Sequence, residues 1–306
     1  MNMKQLRYVL VLAHEGSFSR AAESLGITQP SLSQYIKKIE KEQGVELFDR
    51  TGGNVRVTDA GYVYIEAGRK ILDLEKQMER RLEDLSAFRS GSIVVGVSPY
   101  RCIHLMPEIV RRFHKLYPGI RLVLEERAGA SLLDDAEHGL FDLCIANLPV
   151  DERLFRYQLI MKEELLLAVN VQTELFQKLE REAVRTEEKQ YPAINFRALA
   201  GESFVTLSEQ QPTQRNLNKI CAEAGFSMEN AVECRTIETQ FAMVRAGIGA
   251  ALVPSGLSQF SNAGEVAYYS FLQSIPYRDM AVIYRKEQYL SKAVQDLIRI
   301  MVSLES

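Results

Sequence analysis

GSFSRAAESLGITQPSLSQYIKKIEKEQGVELFDRTGGNVRVT, residues 16–58, reads as a helix, a tight turn, a second helix and a glycine-tipped hairpin. Just ahead of it, Leu6, Val9, Leu10 and Ala13 recur at the i, i+3, i+4, i+7 spacing, which predicts an amphipathic scaffold helix ending near His14 and Gly16. Ser17 is placed to cap the next helix, with Ala21, Ala22 and Leu25 facing inward, and Gly26 stops it. Thr28 can cap the third helix, and Pro30 falls in its first turn, where a missing amide hydrogen costs little. Leu32, Ile36 and Ile39 anchor that helix and turn Gln29, Ser33, Gln34, Lys37 and Lys41 outward. Such a face can exchange hydrogen bonds with base edges while its lysines neutralise phosphate, so it suits a DNA groove. An ordinary solvated helix would look similar, but the turn length, Pro30 and the wing tell against it. The wing spans residues 48–57, with Thr51, Gly52, Gly53 and Asn54 as turn residues and Arg50 and Arg56 flanking them, able to reach backbone or minor groove.

Three runs then carry a family resemblance. F-x-x-A-A-x-x-L-x-x-[ST]-Q-[PS]-[AS]-[LV]-S-x-x-I-x-x-[LI]-E matches Phe18 to Glu40, G-x-x-L-F-x-R matches Gly44 to Arg50, and [LV]-T-x-A-G matches Val57 to Gly61. On these the chain closely resembles the LysR-type transcriptional regulators. The resemblance implies that Gln29, Pro30, Ser33 and Gln34 meet bases while Ser31, Lys37, Arg50 and Arg56 meet the DNA backbone. Position 34 is often arginine in such proteins, so Gln34 suggests adenine over guanine. Double-stranded promoter DNA and RNA polymerase are the partners implied, and tetramers in many relatives.

A dimer is expected independently. Thr58 can cap a helix that runs unbroken to about Leu85, with Ala60, Tyr64, Ala67, Ile71, Leu74, Met78 and Leu85 in heptad register, Arg81 breaking the seam and Leu82 beside it. Paired linker helices would set two reading helices on successive half-sites of two-fold symmetric DNA. Charge agrees: residues 1–56 carry eight Lys or Arg against six acids, so this segment is +2 and the remainder −5 within a chain of net charge −3. That is a small cationic excess for a DNA binder, and a second copy would double it.

From Gly91 short apolar strands alternate with helices, after a break at Arg89-Ser90-Gly91-Ser92. Residues 92–97, 120–125 and 141–146 read as strands with helices between them. An echo follows in strands 203–207 and 232–235, helices 213–224 and 237–246, and a turn plus strand at 247–254. The expected architecture is a winged helix-turn-helix domain (1–58), a linker helix (59–90) and a two-lobed α/β effector-binding domain (91–306). The first lobe, with a mostly parallel sheet, takes 91–162 and 269–306, and the second takes 163–268. The resemblance likens the lobes to periplasmic solute-binding proteins, with the chain crossing near Met161 to Glu164 and Tyr268 to Leu272, and residues 280–285 and 290–304 returning to the first lobe.

Ligands on such sheets sit beyond the carboxyl ends of strands. That topology nominates Ser98, Tyr100, Ala130, Ser131, Asn147, Thr206, Ser208 and Thr239, a set suited to a small polar or anionic effector, each hydroxyl being equally readable as a plain cap. The resemblance also places effector contacts at Ser98 and Thr206. Arg101, Arg127 and Arg215 could balance a ligand charge but read more simply as solvated surface groups.

Other functions find little support. Gly247-Ile-Gly lacks the third glycine and preceding strand of a nucleotide loop, no G-x-S-x-G elbow occurs, and His14, His104, His114 and His138 are scattered. The expectation is no enzyme, no metal and no cofactor. Cys102, Cys144, Cys221 and Cys234 have no metal spacing and read as buried thiols. A redox sensor using Cys221 and Cys234 is the alternative; some LysR-type relatives work so, though these cysteines do not match that pair. Neither a secretory apolar segment nor a membrane-length apolar run is present, which points to the cytoplasm and away from membranes and solute transport.

Overall fold

The computed structural model describes residues 2–50, 55–85, 91–127, 131–209, 211–260, 264–273 and 278–305. The chain forms two units, Met1–Phe88 and Arg89–Ser306.

In the first unit, α1 (Met3–Glu15), α2 (Phe18–Ser24) and α3 (Gln29–Gln43) pack around Leu12, Ala21, Leu32, Ile36 and Ile39, all nearly inaccessible to water. Each buried Leu or Ile contributes about 1.5–3 kcal/mol. Thr28 occupies the N-cap of α3 without bonding its backbone; its hydroxyl instead meets the Ser31 hydroxyl at 2.8 Å. Two short strands, β1 (Phe48–Asp49) and β2 (Arg56–Val57), pair antiparallel as the wing. The expected wing turn, Thr51 to Asn54, lies outside the described residues.

α4 (Asp59–Leu85) follows, and Thr58 caps it: its hydroxyl accepts from Gly61 N–H at 3.0 Å and donates to Glu46 O at 2.7 Å. The expected heptad line divides into two. Near the start the buried residues are Gly61, Ile65 and Gly68, which seat the helix on its own unit, and Tyr64 joins the same core. Further along, Leu74, Met78 and Leu82 are 69%, 56% and 58% exposed. One face of the helix thus serves intrachain packing before the apolar seam opens to solvent. The side chain of Leu85 lies outside the described residues.

Among the described residues the second unit is built on a five-stranded and a four-stranded sheet, with a two-stranded pair beside the latter. The first is built from β3 (Gly91–Val97), β4 (Ile120–Glu126), β5 (Leu143–Asn147), β6 (Phe155–Glu163) and β13 (Arg278–Arg285), in the order β4-β3-β5-β13-β6. Its helices are α5 (Pro99–His104), α6 (Met106–Leu116), α7 (Ser131–Glu137) and α11 (Lys292–Val302). β4, β3 and β5 are parallel as expected, but β13 is antiparallel to both its neighbours. The reason is connectivity: β6 leaves for the second lobe and β13 returns from it, so they run side by side in opposite senses, without the crossover helix that imposes parallel pairing.

The second sheet holds β7 (Leu165–Asn170), β8 (Ala193–Ile194), β11 (Ala251–Pro254) and β12 (Val266–Phe271), ordered β11-β7-β12-β8. β9 (Ser203–Leu207) adds beside β11 through Val205 N–H to Ala250 O at 2.8 Å, and β10 (Glu229–Cys234) pairs parallel with β9. Its helices are α8 (Glu174–Glu182), α9 (Pro212–Ala224) and α10 (Ile237–Arg245). β12 remains in this sheet to Phe271, so the second lobe keeps a few more residues than the expected division at 268/269. One face carries Leu167, Phe204, Leu217 and Cys221; the other carries Ala168, Val205, Cys234 and Val244, joined by Tyr100 from the first lobe.

Candidate functional site

On α3, Gln29, Pro30, Ser31, Gln34, Lys37 and Lys41 are exposed and Ser33 is half-buried. What fixes the angle of this face is Glu40, half-buried toward the C-terminal end of the helix. One carboxylate oxygen accepts from Leu47 N–H at 3.0 Å and Phe48 N–H at 3.2 Å, and the other from Arg50 at 2.6 Å. Arg50 is also stacked over the Phe18 ring, 5.2 Å from its centroid. Charge-assisted bonds to backbone N–H groups are about twice as strong as neutral ones, so Glu40 ties the third helix to the wing. Arg50 therefore has a structural partner of its own, while Arg56 is exposed. Glu40 was visible in the sequence only as the last letter of a pattern; its role depends on a strand eight residues on.

The cleft residues fall into separate groups. Ser98 stands before α5 and makes no side-chain cap bond. Tyr100 is buried, with its hydroxyl against the Gly256 backbone of the second lobe, where a Cβ would come within 2.9 Å. Burial, then the nearby Glu163 carboxylate, raises its pKa well above the usual phenol value. Asn147, at the end of β5, accepts a hydrogen bond from Arg101 through its side-chain oxygen. Ser131 is exposed at the start of α7, Ser208 follows β9, and Thr239 is exposed and engaged with the Thr236 cap at 3.0 Å. Ala130 lies outside the described residues. Tyr100 and Asn147 both lie beside Arg101, the second hydrogen-bonded to it.

What joins them is Arg101, which contradicts its reading as a solvated group: it is 5% exposed. Its guanidinium donates to Ile145 O and Asn147 and lies 3.9 Å from Glu163, which is 3.5 Å from Arg278. Glu163 and Arg278 are opposite one another in the β6/β13 pairing, at the point where both strands pass between the lobes. Burial, then repulsion from Arg278, pulls the Arg101 pKa down to about 10, still protonated at neutral pH. Three buried charges therefore sit at the hinge. Arg127, by contrast, is only partly exposed and pairs with Glu125 and Asp135 at the surface.

Thr206 is buried, donates to Val232 O at 3.5 Å, and lines a cavity inside the second lobe together with Cys221. Cys221 and Cys234 belong to the cores on opposite faces of the second sheet. Burial pushes the Cys221 thiol up to about 11 and raises that of Cys234 as well, so both are protonated at neutral pH. Among the described residues no group of three or more His, Cys, Asp or Glu is placed to hold a metal, and no helix is long and apolar enough to cross a membrane.

A winged helix-turn-helix unit with an exposed polar third helix, followed in the chain by a two-lobed α/β unit, defines a DNA-binding regulator of two-unit architecture. The family follows directly. Residues 3–62 match the bacterial regulatory helix-turn-helix protein, lysR family, and residues 86–304 match the LysR substrate binding domain, so the chain belongs to the LysR-type transcriptional regulators. It is 28% identical over 300 residues to the uncharacterized HTH-type transcriptional regulator YcgK of Bacillus subtilis (strain 168), covering 96% of this chain and 92% of that one. It is likewise 28% identical over 298 residues to the DNA-binding transcriptional dual regulator OxyR of Escherichia coli (strain K12), covering 97% and 93%. Among solved structures, a full-length OxyR variant from Pseudomonas aeruginosa superposes with a TM-score of 0.69 at 25% identity, covering 99% of this chain and 93% of that one. The LysR family regulator CbnR shares the fold, with a TM-score of 0.64 at 19% identity and 98% of each chain covered.

Proposed function

We propose that this LysR-type regulator holds promoter DNA as a symmetric dimer, with α3 of each chain in a major groove, and answers to a small polar or anionic effector received between its lobes. The α3 face is the observation that carries the reading. Four amide and lysine side chains, Gln29, Gln34, Lys37 and Lys41, project from a helix secured behind by Leu32, Ile36 and Ile39. Gln29, Pro30, Ser33 and Gln34 take the base edges; Ser31, Lys37 and Arg56 take phosphates. Arg50 acts first by holding the wing. Ser33→Ala and Gln34→Ala should each weaken binding to a footprint-selected fragment by about tenfold, the value of one good base contact, while non-specific binding holds. Gel shifts in which both variants keep the wild-type ratio of specific to non-specific binding would sink the assignment.

The dimer rests on Leu74 and Met78 in the heptad seam, with Leu82 beside it, all exposed where α4 has left its own core. Leu74→Glu combined with Met78→Glu should convert the dimer to monomer in sedimentation; an unaltered mass would overturn this seam. Pairing dimers into tetramers, contact with RNA polymerase and residence in the cytoplasm are further parts of the proposal, supported by membership of the family. The effector seat is built from Ser98, Tyr100 and Asn147 on the first lobe and Ser208 and Thr239 on the second. Binding acts by its different affinity for two lobe arrangements, with no catalytic step. The OxyR relatives' peroxide response is not carried over, because Cys221 and Cys234 occupy opposite sheet faces with both thiols protonated.

A further inference from the structure

α9 lies along one face of the second sheet, with Leu217 buried in the core there and Ile220 packed against it. Beside that stripe the helix turns Gln214, Asn218, Cys221 and the exposed Ala222, at i, i+4, i+7 and i+8, toward β10: two amides, a thiol and a methyl group. These are too short to fill the space toward β10, and a cavity of about 330 Å³ remains, large enough for a small organic molecule. Its apolar lining comes from Leu207, Ala222, Phe226 and Met228, with Cys221 kept uncharged by its burial.

The polar lining has a direction. Leu207 N–H donates to Gln214 Oε1 at 2.9 Å, Gln214 Nε2 donates to Asn218 Oδ1 at 2.7 Å, and Asn218 Nδ2 donates to Glu209 Oε1 at 3.4 Å. Gln214 is only 3% exposed, so its amide is locked in this sense by burial as well as by its partners. The chain ends on a carboxylate. Glu233, from β10, brings a second carboxylate to the cavity; its neighbour Cys234 alternates to the other face of the sheet. Among the described residues neither carboxylate is paired with a lysine or arginine; the nearby Arg215 donates to the backbone carbonyl of Glu209 instead. The lining contains no cation of its own. Two carboxylates at the rim of a partly apolar pocket attract a positive charge and repel a negative one.

We propose that this cavity is a second ligand site, distinct from the inter-lobe seat, and that it takes a small organic cation: a primary amine or guanidine on a hydrocarbon body. The charged group is held between Glu209 and Glu233, and the hydrocarbon lies on Phe226 and Met228. Because β9 forms one wall through Thr206 and Leu207, and Val205 and Leu207 belong to the cluster that includes Tyr100, occupancy bears on a strand that also meets the first lobe.

Calorimetric titration of the full-length protein at neutral pH with phenethylamine, uncharged phenethyl alcohol and anionic 3-phenylpropionate tests this. Phenethylamine should bind once per chain, and Glu209→Gln or Glu233→Gln should each raise its Kd about tenfold, one charge-assisted contact. Both positions are exposed at the rim, so neither change disturbs the core. Ala222→Leu, which fills the cavity, should abolish binding, whereas Ser98→Ala in the cleft should leave it unchanged. No binding of the amine at millimolar concentration, equal binding of the alcohol, or undiminished binding in the doubly substituted Gln variant overturns the proposal.

Discussion

Glu163→Gln is expected to destabilise the effector-binding unit by about 3–5 kcal/mol, the loss that follows when one member of a buried charge group is removed and the others stay behind. The carboxylate lies between Arg101 and Arg278, at 3.9 and 3.5 Å, and all three side chains are at least nine-tenths buried. With glutamine in its place, two guanidiniums face one another in a medium of low dielectric, Arg101 keeping its bonds to Ile145 O and Asn147. The loss should appear in urea unfolding followed by hydrogen exchange, in amides of β5, β6 and β13, and leave the exchange of α1 to α3 unchanged, since these belong to the other unit. A cycle with Arg101→Met separates charge from packing. If the ions act together, the double variant should be more stable than the sum of the two single losses predicts. Strict additivity, or a Glu163→Gln loss below about 1 kcal/mol, the value of an exposed pair, would show that these charges do not act as a buried group.

Why Arg101 escaped a reading of the sequence is instructive. Arginine after Ser98-Pro99-Tyr100 at the head of a short helix resembles any solvated cation, and nothing local says otherwise. Its burial is set by β6 and β13, whose ends lie about 60 and 180 residues further on. β6 is itself hard to read, because as an edge strand it exposes four consecutive residues, Arg156 to Leu159, in place of an alternation. Thr206 illustrates a different limit. Phe204, Val205, Thr206 and Leu207 are all buried, so period-two reasoning defines a strand but not which residues face the cleft. The third helix was legible for the converse reason: Leu32, Ile36 and Ile39 stand at helical spacing against polar neighbours, and one buried stripe leaves one outward face. The heptads of α4 were legible as a stripe, but its division between its own core and solvent depended on α1, which packs against the helix's first turns.

Gly61→Ala should damage DNA binding from a position that presents nothing to DNA. A Cβ at residue 61 would stand 2.2 Å from the Leu47 carbonyl oxygen and 2.8 Å from Val57 Cγ1, and the first of these is backbone that no rotamer change can move aside. The first turn of α4 must therefore back away from the strand of the wing. That turn is fastened there: Gly61 N–H donates to the Thr58 hydroxyl, which donates to Glu46 O, one residue before the Leu47 N–H that Glu40 holds. Displacement at Gly61 thus reaches the wing and, through Glu40, the setting of α3. The cost should be about 1–3 kcal/mol for overpacking of a close contact, with a larger proportional loss of specific promoter binding because helix and wing must meet one DNA surface together. Gly68→Ala provides the control on the same helix, since its added methyl would come closest to Leu6 Cδ2, at 3.0 Å, the far end of a flexible side chain. Urea unfolding of the DNA-binding unit and gel shifts on the selected fragment should rank wild type, Gly68→Ala and Gly61→Ala in that order. Equal stability and equal promoter affinity for the two alanine variants would mean that the approach of α4 to the wing does not set the reading geometry.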